Sequence, residues 1–80
     1  MYIKDLDGAY HSFDHVAKFF VSEPTKKKKP FANVWMVLKD QDEVRIAGNF
    51  KTSSEARMWL VMFLERLGES ITGQGEENDY

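Results

Sequence analysis

Residues 52–67, Thr-Ser-Ser-Glu-Ala-Arg-Met-Trp-Leu-Val-Met-Phe-Leu-Glu-Arg-Leu, decide the fold. At about 100° per residue, Ala56, Trp59, Leu60, Phe63, Leu64 and Leu67 gather on one side of a helix. Such a stripe is suited to covering a small sheet. Thr52-Ser53-Ser54-Glu55 reads as a capping box, in which the Thr52 hydroxyl accepts from the Glu55 amide and the Glu55 carboxylate reaches back. Gly68 is placed to end the helix as its C′ residue. Met58, Val61 and Met62 fall roughly opposite the stripe, broken only by Arg57, Glu65 and Arg66. A helix that is apolar nearly all round is usually buried nearly all round. An 80-residue chain has little with which to cover a second side. The helix therefore points to association, with itself or with another protein.

Upstream of the helix the pattern is that of strands. Residues 43–50 alternate, with Val44, Ile46 and Phe50 inward and Glu43, Arg45 and Asn49 outward. Gly48 marks a bulge or a close approach of the helix. Residues 31–39 carry apolar side chains on both faces, which predicts a central strand. Asp40-Gln41-Asp42 makes the turn between these two strands. Residues 1–6 and 9–13 form a hairpin around Asp7-Gly8, read as a type I′ turn. Residues 13–21 have two readings. Phe13, Val16, Ala17 and Phe20 are spaced like one helix face, whereas the Phe-Phe-Val run favours a strand after a turn at residues 12–15. The strand is preferred, since the segment is short for a stable helix. The expected architecture is α+β: an antiparallel meander of four to five strands and one C-terminal helix packed on the sheet. Residues 1–68 form one domain, and residues 69–80, rich in Gly, Glu, Ser and Asn, are expected to be a disordered acidic tail.

Composition narrows the function classes. An apolar fraction of 42% with 14% aromatics is that of a folded globule. The absence of cysteine excludes disulfides and thiolate metal sites and fits a reducing, cytoplasmic setting. The longest apolar-rich stretch, residues 58–64, is far short of the ~20 residues that span a bilayer. The N-terminal residues are charged where a secretory signal needs an apolar run. The net charge of −2 hides an asymmetry: Glu69, Glu76, Glu77 and Asp79 lie in the last twelve residues, leaving nine acidic against eleven basic groups before them. Four of those basic groups are consecutive, Lys26, Lys27, Lys28 and Lys29.

No catalytic or cofactor signature stands out. His11 and His15 are four apart, but no cysteine or third histidine completes a metal set, and ordinary surface polarity accounts for them. Asp5, Asp7, Asp40 and Asp42 invite an acid–base or Mg²⁺ reading, but Asp7-Gly8 and Asp40-Gln41-Asp42 fit turn chemistry better. No serine sits in a nucleophile elbow, and there is no Gly-rich phosphate loop. Two surfaces remain. Met58, Val61 and Met62, with Glu65 beside them, form a candidate partner or dimer interface, where flexible thioethers suit an irregular partner. Residues 26–29, followed by Phe31 and Trp35, juxtapose cations and rings, as single-stranded nucleic acid requires. The plainer account of the lysines is a solvated loop that discourages edge pairing, and the plainer account of Trp35 is core packing.

The segment Phe50-Lys51-Thr52-Ser53-Ser54-Glu55-Ala56 and the opening Leu6-Asp7-Gly8-Ala9-Tyr10 resemble those of many small bacteriophage and Gram-positive bacterial proteins, over residues 1–68. The resemblance implies a phage or mobile-element setting in a bacterial host cell, where small proteins bind and block a host protein. The layout, with the lysine run, Trp35 and the Met58/Val61/Met62 face, also looks like the single-stranded-DNA-binding transcriptional coactivator fold, which dimerises through its helices. The leading expectation is a non-enzymatic protein-interaction module without a cofactor, homodimeric or bound to a host protein. The second is a single-stranded nucleic-acid-binding module.

Overall fold

The computed structural model describes residues 1–25 and 30–79, with side chains up to residue 69. The lysine run at residues 26–29 lies outside the described residues. The fold is α+β. In chain order it has β1 (Tyr2–Lys4), β2 (Tyr10–Ser12), a 3-10 turn (Phe13–His15), β3 (Val16–Ser22), β4 (Ala32–Leu38), β5 (Glu43–Phe50) and α1 (Ser53–Asp79). The five strands are antiparallel but form two sheets, β1-β2 and β3-β4-β5, instead of one continuous meander. The break falls at the 3-10 turn, which Ser12 caps by accepting from the Asp14 amide at 3.4 Å. Residues 16–22 are strand, and β4 is central, as their patterns predict.

Both hairpins depart from a two-residue turn. In the first, the Asp5 amide donates to the Ala9 carbonyl and the Gly8 amide to the Asp5 carbonyl. This is a three-residue loop: a type I turn through Leu6 and Asp7, then Gly8 at φ 92°. Asp7 keeps a negative φ, so the type I′ reading is corrected. The β4–β5 loop repeats the design. The Gln41 amide donates to the Leu38 carbonyl, the Leu38 amide donates to the Asp42 carbonyl, and Gln41 takes the left-handed position at φ 74°.

The clean alternation expected along β5 is also corrected. Two register shifts leave an extra residue on β5, one at Ile46 and one at Gly48-Asn49 opposite Asn33. The first shift lets Ile46 and Ala47, adjacent in sequence, both be buried. At the second, Asn33 Oδ1 accepts from the Asn49 amide at 3.3 Å, and Asn49 adopts φ 66°. A Cβ at Gly48 would collide with Asn33 Oδ1, so the close approach is to this side chain and not to the helix.

The core lies between α1 and one face of β3-β4-β5. Ala32, Val34, Met36, Ile46, Ala47 and Ala56 are buried there, joined by Ile3 from the hairpin. Trp59, Leu60, Phe63 and Leu67 pack on this cluster from the helix. Rings continue the contact: Phe50 against Trp59 at 6.4 Å, Trp59 stacked on Phe63 at 5.0 Å, and Phe63 edge-on to Phe19 at 5.9 Å between centroids. Thr52 Oγ1 accepts from the Glu55 amide at 3.1 Å, forming the hydroxyl arm of the cap. Gly68 does not end the helix. It lacks the left-handed φ of a C′ residue, and α1 runs on to Asp79. At 27 residues α1 is about 40 Å long, and among the described side chains the last one packed on the core is Leu67. None of the described helices is long and apolar enough to cross a membrane.

Candidate functional site

The outward side of α1 is the first surface. Met58, Val61 and Met62 are 69%, 54% and 52% exposed. The helical period puts them there because the sheet claims Trp59, Leu60 and Phe63. Leu64, assigned by spacing to the sheet stripe, is 41% exposed and extends the patch instead. The correction follows from the narrow sheet. Three strands give α1 a contact zone that Leu60, Phe63 and Leu67 already fill, and the edge position of Leu64 is left outside it. Glu65, Arg66 and Glu69 are exposed and bring both signs of charge close to the patch. Arg57, also exposed, donates to Glu23 Oε1 at 2.6 Å across the helix–loop boundary.

The second surface is the sheet face turned away from α1. Trp35 lies there, half-buried and separate from the core cluster. Register sets Phe20, Trp35 and Arg45 in one row across the three strands. The Phe20 and Trp35 rings are nearly parallel, 8° apart in plane with centroids at 6.1 Å. Trp35 Nε1 donates to Ser22 Oγ at 3.0 Å. Arg45 Nη1 donates to Asn33 Oδ1 at 3.3 Å. Lys18, two residues before Phe20, occupies the next row with Val37 and Glu43. Here an open groove of about 630 Å³ is lined by Lys18, Phe20, Val37, Lys39 and Glu43. Phe31, just before β4, is 42% exposed.

Asp5 is the one buried carboxylate among the described residues. Its Oδ1 accepts from the Asp7 amide at 2.9 Å and the Ala9 amide at 3.0 Å. Its Oδ2 accepts from His11 Nε2 at 2.7 Å. An ionised carboxylate only accepts, so His11 carries its proton on Nε2. The bond from His11 holds the Asp5 carboxyl below the ordinary aspartate value of 3.8, helped by the two amides and opposed by burial. Every strong bond of this carboxylate serves the hairpin, which marks it as structural chemistry. No group of three or more potential metal-ligating side chains occurs among the described residues.

No protein-family model, curated protein or solved structure matches this chain. Of the residues singled out in the sequence, Met58, Val61, Met62 and Glu65 share one exposed helix side, and Trp35 lies on the open sheet face. Phe20, Lys18 and Arg45 were not singled out. Their strand alternation was visible, but the register that aligns them with Trp35 was not, because it depends on three bulges.

Proposed function

We propose that the protein is a non-enzymatic interaction module that works as a homodimer, the occupant of its outer helix face being a second copy of the same face. The observation that carries this reading is the contiguous exposure of Met58, Val61, Met62 and Leu64 beside a mixed-charge rim. A two-fold axis presents the same patch from both sides, so a surface with an apolar centre and charges of both signs is self-complementary. Magnitudes set the strength. Covering the exposed parts of eight such side chains gains about 8–12 kcal/mol. Association itself costs at least about 4 kcal/mol. At that minimum cost the remainder corresponds to a dissociation constant between about 1 µM and 1 mM, and any larger cost weakens it, so the dimer is weak and reversible.

Sedimentation equilibrium across that concentration range tests the proposal. The wild type is expected to move from monomer toward twice the monomer mass. The Met58→Glu/Met62→Glu variant, checked for unchanged helicity by circular dichroism, is expected to stay monomeric. A wild type that remains monomeric at the top of the range sinks the reading.

A further inference from the structure

We infer that the sheet face opposite α1 is a platform for single-stranded nucleic acid, with bases stacking on Phe20 and Trp35 and phosphates held by Lys18 and Arg45. This is a second function on the other side of the molecule and does not depend on the dimer. Four observations converge on it. The two rings are adjacent, stacked nearly parallel and half-buried, so each keeps exposed surface. Neither belongs to the core cluster that α1 covers. The Trp35 indole is pinned at its edge by Ser22, which fixes the ring before any ligand arrives. Arg45 lies in the same row as the rings, and Lys18 in the row beside them, with Glu43 as the opposing carboxylate.

Charge placement selects the ligand. The chain as a whole carries a net −2, yet the ring pair is flanked by cations on both outer strands. Cations beside stacking surfaces match alternating phosphates and bases. In a duplex the bases are already stacked on one another, so a ring platform favours single strands. An acidic polypeptide would use the cations and leave the rings without a role.

The test is fluorescence anisotropy with labelled oligothymidylate at 20 mM to 200 mM salt, with polyglutamate as competitor. Binding is expected to fall steeply with salt, and replacing both Lys18 and Arg45 with Gln is expected to lower the logarithmic salt slope by about 0.7 per charge removed. Phe20→Leu, which keeps a bulky apolar side chain but removes the ring, is expected to weaken binding about tenfold. A Trp59→Phe protein retains Trp35 as its one tryptophan, and the oligonucleotide is expected to quench its emission. No binding at 20 mM salt would overturn the inference. So would binding that Phe20→Leu leaves unchanged and that does not quench Trp35, since charge without stacking would then account for it. Polyglutamate displacing the oligonucleotide at equal charge concentration would instead assign the face to an acidic protein.

Discussion

Single residues carry much of the hairpin chemistry, and Asp5 shows how. Its sequence position reads as strand, ahead of the Asp7-Gly8 turn, although an aspartate so placed can bond the turn's backbone. Its partner was not legible, since His11 is six residues away and reaches it only through the three-residue loop. The consequence for stability has a definite sign. The folded pKa of Asp5 is lowered below 3.8, so the folded state holds the ionised form more firmly than the unfolded chain does. That contribution is complete above the unfolded value and is lost as pH falls through the folded one. Asp5→Asn keeps an oxygen for the Asp7 and Ala9 amides but abolishes the charge. The variant is expected to be less stable than wild type near neutrality and to converge with it below pH 3.8. Urea midpoints measured from about pH 7 down to about pH 2.5 check this. A constant gap between the two proteins at all pH values would show that the carboxylate charge contributes nothing.

At the scale of elements, periodicity was informative wherever a single contact surface decided burial. The helix start and the central position of β4 follow from a cap and apolar spacing, whereas the strand at residues 16–22 needed β propensity and segment length to decide between two spacings. Misreadings arose where geometry added a residue or left one over. Bulges in β5 buried Ile46 and Ala47 together, which no period of two can express. Gly68 looked like a stop, yet a helical glycine costs only about 1 kcal/mol against alanine. Leu64 is the sharpest case, because its spacing puts it with Phe63 while the sheet is too narrow to hold both. Substitution separates the two. Phe63→Ala removes a ring stacked on Trp59 and edge-on to Phe19, and a loss of about 3 kcal/mol is expected. Leu64→Gln replaces an exposed side chain, and a change within about 0.5 kcal/mol is expected in dilute protein. Chemical denaturation at low micromolar concentration measures both, and equal losses would mean that Leu64 belongs to the core after all.

For the whole molecule, the question is whether two sheets make one cooperative unit. Among the described residues the hairpin of β1 and β2 joins the rest by few links: the Leu6 amide donates to the Arg45 carbonyl at 2.9 Å, Ile3 enters the core, and Phe13 packs there from the adjoining 3-10 turn. The three-stranded sheet and α1, by contrast, share a continuous aromatic and aliphatic layer. A unit held by one backbone bond and two side chains opens at lower free energy than one held by a full layer. Ile3, 4% exposed, is the hinge of that argument. Ile3→Ala is expected to cost about 2–4 kcal/mol of docking energy, enough to release the hairpin while β3, β4, β5 and α1 stay assembled. Native-state hydrogen exchange reads this directly. In the wild type the Ile3 and His11 amides are expected to exchange through a smaller opening than those of Val34 and Met36. In Ile3→Ala the hairpin protection should collapse first, leaving β4 largely protected. Equal loss in both sheets would instead make the hairpin part of a single folding unit with the three-stranded sheet and α1.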